Sequence, residues 1–317
     1  MTPPNQRKEL KLIKTLWGID EPISPHLFHS IKQEGYHGVE VIRLPWLFER
    51  DLLVNCLNEA ELAVVCQVHT AGGYLHKDSG EYIYCGAYDV AAHKQDFQKQ
   101  LRECKEVIHL VNAGGFINVH AGVDAWSNEE ALQFLNFCLK EIEQITPEIT
   151  VTFETHRQRL FGSPFQTRDL LSSLSQSKLK LNADLSHWYC ACERVFNSED
   201  ERDKWWPRLL SSVSGRCEYI HARFGWAQGP QMADPSTAEF EPDRRLQIKV
   251  WKILMEEQKN KSAFTCNDTG GMNIFVSPEY GPAPYMTVMP HTQEPVASLP
   301  EAVSYTKKVI EELFESI

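Results

Sequence analysis

Short apolar runs rich in β-branched residues alternate along the chain with longer segments of helical spacing. The runs occupy residues 12–17, 38–44, 63–69, 116–120, 149–154, 179–184, 218–222 and 273–277. Each is continuously apolar rather than alternating in polarity, the pattern of strands buried on both faces. Between 92 and 111, Phe97, Leu101, Cys104, Ile108 and Val111 recur every three or four residues and define one face of a helix. Asn112-Ala113-Gly114-Gly115 ends it, because glycine accepts the left-handed turn that closes a helix. Ser127 and Glu130 have the spacing of a capping box that opens a helix over 128–142, with Leu132, Leu135, Cys138 and Ile142 facing inward. A last amphipathic helix is expected over 301–315 through Val303, Ile310 and Leu313.

Strands that alternate with helices run parallel and are joined by right-handed crossovers. An open doubly wound sheet would carry a glycine-rich phosphate turn after its first strand. Here that stretch reads Leu16-Trp17-Gly18-Ile19-Asp20, without one. The expected class is therefore α/β, a single (β/α)8 TIM barrel forming one domain over 1–317, with extended loops on its C-terminal face and a C-terminal tail helix. Segments 70–92 and 223–243 follow the third and seventh strands and are expected over the mouth. Segment 259–272 reads as an insertion before the last strand. Segment 280–300, with five of the seventeen prolines, either folds back over the mouth or reaches a partner.

Composition narrows the class of function. The apolar share is 42% and the charged share 24%, ordinary globular values that exclude a disordered chain or a fibre. The net charge of −11 repels phosphate backbones, so no nucleic-acid partner is expected. The N-terminus lacks a signal-peptide core, and apolar stretches such as 62–66 are too short to span a bilayer. The expectation is a cytoplasmic protein without a membrane partner. Nine cysteines, an odd number without a CxxC pair, point to thiols rather than a disulfide framework.

The chemical signal lies where the last four strands end. Glu154 closes VTFE, Asp184 closes LKLNAD, His221 closes EYIH and Glu279 follows FVSP. Parallel barrel strands aim all their C-terminal ends at one mouth, so these four residues converge despite their separation in sequence. One such acid alone is usually a helix cap or a solvated loop residue. Four on successive strands would each need a separate buried partner. Three carboxylates and an imidazole suit one divalent metal ion, Mn²⁺ foremost, with Mg²⁺, Co²⁺, Fe²⁺ or Zn²⁺ also compatible.

The order Glu, Asp-x-x-His, His, Glu resembles the xylose isomerase-like TIM barrel superfamily of sugar isomerases and epimerases, which also takes in the AP endonuclease family 2 proteins. The resemblance runs from about residue 10 to 315 and rests on ETHR (154–157), NADLSHW (182–188), YIHARFG (219–225) and PEYGP (278–282). It implies Glu154, Asp184, His221 and Glu279 as metal ligands. It also implies Glu154 and Glu279 as the carboxylates that trade a proton, and His187 as a catalytic group on a substrate oxygen. The function implied is a divalent-metal-dependent isomerase or epimerase of a sugar, polyol or sugar acid. It would remove a proton next to a carbonyl and pass through a metal-stabilised enediolate.

A lyase acting on an inosose- or dehydroshikimate-like substrate begins with the same proton abstraction and is the alternative. An endonuclease IV-like phosphodiesterase fits less well, because Gly229-Pro230-Gln231 stands where that group has an Asp-x-His pair. A non-catalytic binding barrel is opposed by the intact ligand set. Arg223 is expected in the pocket against a carboxylate, phosphate or enediolate oxygen, a salt bridge being its ordinary alternative. His69, His120 and His156 are candidate pocket residues. Trp17, Tyr74 and Trp188 are candidates for an apolar wall against the sugar, although aromatics more often pack cores. The partner expected is a small sugar-like molecule, and barrels of this type are often homo-oligomers.

Overall fold

The third and last apolar runs form strands over the residues read from sequence, Ala63–His69 and Asn273–Ser277, and the other six form within a few residues of their expected ends. The structure is a computed structural model that describes residues 8–71, 74–75, 82–83, 88–174, 178–260 and 273–317, with backbone alone for 43–48, 74–75 and 82–83. The chain runs β1 (Glu9–Thr15), α1 (Pro25–Gln33), β2 (Gly38–Ile42), α2 (Arg43–Glu59), β3 (Ala63–His69), then the short pair β4 (Tyr74–Leu75) and β5 (Tyr82–Ile83). It continues α3 (Val90–Leu110), β6 (Gly115–His120), α4 (Asn128–Ile145), β7 (Val151–Glu154), α5 (Pro164–Ser173), β8 (Lys180–Ala183) and α6 (Ser186–Ala191). It ends α7 (Trp206–Ser214), β9 (Cys217–His221), α8 (Glu241–Asn260), β10 (Asn273–Ser277) and α9 (Leu299–Glu315).

Eight parallel strands close a barrel in the order β1-β10-β9-β8-β7-β6-β3-β2, with β2 returning to β1 and helices between successive strands. This is the (β/α)8 barrel expected. The antiparallel pair β4–β5 lies in the long segment after β3. The run at 38–44 ends early: Arg43 and Leu44 open α2, with Pro45 in the first turn, where an amide proton has no helical partner to lose. Residues 261–272, most of the expected insertion, lie outside the described residues, as does the side chain of Tyr74.

Local rules set the helix ends. Ser127 Oγ accepts from Glu130 N at 3.2 Å while Ser127 N donates to Glu130 Oε2 at 2.9 Å, completing the capping box. Gly114 takes the left-handed conformation (φ 69) beyond the end of α3. Two inward faces are rotated from expectation. α4 buries Ala131, Phe134, Leu135 and Cys138 and leaves Leu132 and Ile142 half-buried. α9 buries Ala302, Thr306, Ile310 and Leu313 rather than Val303. A barrel helix meets the strands along a narrow stripe, and larger apolar residues beside that stripe rest against neighbouring helices.

Alternate residues of each strand face the lumen. At one level Ile13, Val65, Phe116, Tyr219 and Phe275 form a separate apolar plug. Two residues further along several of these strands the inward positions turn polar: Gln67, Asn118, His221 and Ser277. Two further still come His69, His120, Arg223 and Glu279. The apolar plug closes one end, and the polar levels open towards the C-terminal mouth. Among the described residues no helix is long and apolar enough to cross a membrane, and seven cysteines are present as thiols.

Candidate active site

Glu154 is the last residue of β7 and His221 the last of β9; Asp184 follows β8 by one residue and Glu279 follows β10 by two. One ligand atom from each lies within 4.8 Å of the other three. All four residues are at most 5% exposed. His221 Nδ1 is 3.1 Å from Glu279 Oε2 and 3.5 Å from Glu154 Oε2.

The bonding around these groups fixes some of their polar atoms and leaves others buried without a hydrogen bond. Glu154 Oε2 accepts from Asn118 Nδ2 at 2.6 Å and from Asn182 Nδ2 at 3.3 Å, while its Oε1 is buried without a hydrogen-bond partner. Asp184 Oδ1 accepts from the amide and hydroxyl of Ser186. His221 Nε2 is 2.8 Å from Glu40 Oε2, and its buried Nδ1 has no hydrogen bond. Glu279 Oε2 is also buried without one. Unsatisfied buried polar atoms are rare and need a reason. Here Glu279 Oε2 and His221 Nδ1, neither hydrogen-bonded, lie 3.1 Å apart beside the Glu154 carboxylate, a donor set that fits a divalent cation.

Glu40 was not singled out from sequence. It lies in β2, is 1% exposed, and accepts from Tyr219 Oη at 2.9 Å, from Asn118 Nδ2 at 3.0 Å and from His221. With Nε2–H donating to Glu40, His221 keeps its Nδ1 lone pair for the centre, the usual carboxylate–histidine arrangement behind a metal ligand. Asn118 bridges Glu40 and Glu154, so the two carboxylates are held at a fixed spacing.

Arg223 places a guanidinium in the same cluster. It pairs with Asp184 Oδ2, reaches Glu279 Oε2 at 3.4 Å, and donates to Ser186 Oγ at 3.2 Å and His187 Nε2 at 2.8 Å. Both the salt bridge and the pocket position weighed for it from sequence are present, because it also lines the cavity. Burial alone raises the Glu279 carboxyl, but His221 and Arg223 beside it outweigh that and hold it well below the usual range. Burial pushes Asp184 up to about 7, Arg223 opposing and the Glu279 and Glu154 charges adding. Burial disfavours charge on His221, yet Glu279, Glu40 and Glu154 raise it well above an ordinary histidine.

A cavity of about 410 Å³ opens beside the cluster. Trp17, His69, His120 and Arg223 line it, with Glu279, Gln67, Tyr285 and the run His156-Arg157-Gln158-Arg159. Four imidazoles form a column beside it. His69 stacks on His120 at 4.2 Å, His120 is 4.6 Å from His156, and His156 is 4.0 Å from His187. Burial holds all four well below the ordinary histidine value, with neighbouring histidines and arginines adding to it. Three of these imidazoles, His69, His120 and His156, face the cavity.

Two expected residues lie elsewhere. Trp188 is fully buried away from the cavity, donating from Nε1 to Phe161 O at 2.7 Å and meeting Trp206 edge-on. In the single turn of α6, Trp188 follows His187 and points to the core instead. His187 is itself fully buried behind Arg223 and is not part of the cavity lining, although its Nδ1 is unpaired. The segment 280–300 does fold over the mouth. Tyr285 lines the cavity and meets Trp17 edge-on at 4.7 Å. Gly281 is required beneath it, since a Cβ there would sit 2.1 Å from the Trp17 ring.

No protein-family model and no curated protein matches the chain in sequence. Solved structures match it in fold. The IOLI protein with a bound zinc atom is 12% identical over 97% of this chain and 99% of its own, with a TM-score of 0.57. An AP endonuclease, family 2, from Brucella melitensis is 13% identical over 87% of this chain and 94% of its own, TM-score 0.55. A 3-keto-D-glucoside 4-epimerase from E. coli is 12% identical over 97% of this chain and 100% of its own, TM-score 0.53. What these structures share with the chain is the fold, a closed (β/α)8 barrel.

Proposed function

We propose that the chain is a divalent-metal-dependent isomerase or epimerase acting on a sugar or sugar derivative. The observation that carries this reading is the convergence of ligand atoms of Glu154, Asp184, His221 and Glu279, several of whose polar atoms are buried without a hydrogen bond, beside a cavity that Glu279 lines and that is large enough for a monosaccharide. The fold is shared with an epimerase and with a zinc-bound protein, which agrees with the reading without fixing the reaction. Glu154, Asp184, His221 and Glu279 would hold the ion. When bound, it supplies Lewis acidity toward the negative charge that develops beside a carbonyl as a proton leaves.

The chain's own groups divide the remaining work. Glu154 Oε2 is fixed by Asn118 and Asn182, so Oε1 is the oxygen free to take a proton. Glu279 Oε2 faces Glu154 across the His221 ring nitrogen, so the second carboxylate can return the proton from another direction. Arg223 keeps Glu279 ionised and holds Asp184 in place. Trp17, Tyr285 and the imidazole column give the substrate an amphipathic wall and limit water at the reacting carbon.

The test is substrate turnover in deuterated water with Mn²⁺-loaded protein, across ketoses, inososes and keto acids. The reading predicts one deuterium introduced at the carbon beside the carbonyl, without loss of water, and loss of exchange in Glu154→Gln. Release of water from the product would move the assignment to a lyase. Incision of an abasic-site oligonucleotide without any sugar exchange would overturn it.

A further inference from the structure

The loop after β7 is built to carry charge into the cavity. Four consecutive residues, His156 to Arg159, line it. The loop is held from below: Arg159 is 4% exposed and donates to Thr70 O at 3.0 Å and Gly122 O at 3.2 Å. Gly162 packs so closely under it that a Cβ would lie 2.8 Å from His156 O and 3.0 Å from Arg157 Cα. Gln158 sits in the left-handed region (φ 63), a conformation that side chains adopt at a cost and that surrounding structure must impose.

Among the described residues, the guanidinium that the loop presents has no acidic partner. Arg157 is half-buried, touches the Cys190 thiol, and stands 4.8 Å from the centroid of the Tyr285 ring. Among the described residues no carboxylate lies within ion-pair distance of it. The other cavity arginines are engaged: Arg223 with Asp184 and Glu279, Arg159 with backbone carbonyls. Among the described residues, Glu279 is the one acid in the lining. Arg223 lies 5.0 Å from the same Tyr285 ring, so the ring spans from the carboxylate cluster to the Arg157 side of the cavity.

We propose that the substrate is a sugar acid, with its carboxylate held by Arg157 and its hydroxy-carbonyl end at the Glu154–Glu279 pair. The proposal rests on the reading of this mouth as a sugar isomerase site, and it names the class of substrate. A guanidinium presents two parallel N–H donors that match a carboxylate. A phosphate dianion calls for more donors than the loop supplies. The nearest helix, α5, has Pro164 in its first turn and its Phe165 amide already bonded to Ser163 Oγ.

Titration calorimetry of Mn²⁺-loaded protein with D-gluconate and D-glucuronate, against D-glucitol, D-glucose and D-glucose 6-phosphate, tests it. At least one acid should bind about tenfold more tightly than its neutral counterpart. Arg157→Gln should remove that preference while neutral ligands bind as before, and Arg157→Lys should keep part of it. Mn²⁺ uptake by Arg157→Gln should equal that of the wild type, which also shows that the variant folds. An undiminished preference in Arg157→Gln, no preference for any acid, or tighter binding of the phosphate would overturn the proposal. An acid preference lost in Arg157→Gln, in a protein that takes up no Mn²⁺, would support the anion site and remove the metal reading.

Discussion

Glu40 and His221 meet at 2.8 Å inside the barrel, carboxylate oxygen to imidazole Nε2, with both side chains withdrawn from solvent. The contact spans the lumen from β2 to β9, strands that are not neighbours in the sheet. It decides which ring nitrogen of His221 faces the other carboxylates. Glu40→Gln changes charge with little change in shape and can present its amide hydrogens to Nε2, favouring the wrong tautomer. Its affinity for Mn²⁺ should fall about 10–100-fold, the usual cost of losing such a supporting carboxylate. Mn²⁺ titration of both proteins measures this, and equal affinities would assign Glu40 to folding alone.

Trp188 supports the core rather than the cavity. Trp188→Phe keeps an aromatic ring beside Trp206 but leaves the buried Phe161 carbonyl without its donor. Unfolding in urea should show a loss of about 1–3 kcal/mol. Mn²⁺ uptake and ligand affinity should be unchanged in the folded variant. A selective loss of ligand affinity at unaltered stability would return Trp188 to the binding wall.

Stability should depend on pH through histidines kept neutral. Burial, aided by Lys11 and Lys32, lowers His37 to about 4, and its Nδ1 accepts the Leu12 amide at 3.3 Å. The unfolded value lies near 6.5. Between these values the unfolded chain binds more protons than the folded one. Stability from this group is therefore full above about 6.5 and lost as pH falls toward 4. The His69–His120–His156–His187 column acts in the same direction. Urea midpoints measured from pH 7.5 to 4.5 should decline, and His37→Asn, which keeps an acceptor, should decline less steeply. Identical slopes would show that His37 is not protonated on unfolding in this range.

The barrel was legible in the sequence because buried parallel strands are marked by continuous β-branched runs, and eight of them survive the irregular loops. The cluster at the mouth was legible because Glu154, Asp184, His221 and Glu279 stand at strand ends, where chain direction alone fixes their position. Glu40, Asn118 and Asn182 were harder to see. Each is one polar residue inside an apolar run, as in GVEVI, and hydropathy averages it away. A period-two signal was available: Asn118 with His120, Asn182 with Asp184, His221 with Arg223 and Ser277 with Glu279 are successive inward positions. Trp188 and Val303 were misplaced for a different reason. The facing of a helix residue depends on how the helix is rotated against the barrel, and a short segment such as SHWYCA carries too few turns to define a stripe. Arg157 lay within the quoted ETHR stretch, but that no described carboxylate pairs with it is visible only in three dimensions.

The central claim is that four side chains from the last four strands hold one divalent ion. The most direct measurement is elemental analysis after reconstitution with Mn²⁺ at neutral pH and removal of unbound metal. It should be made on the wild type and on an Asp184→Asn, His221→Ala double variant shown to be folded by circular dichroism. The account predicts about one ion per chain in the wild type and almost none in the variant. A wild type that retains no divalent ion, or a variant that retains as much as the wild type, would contradict it.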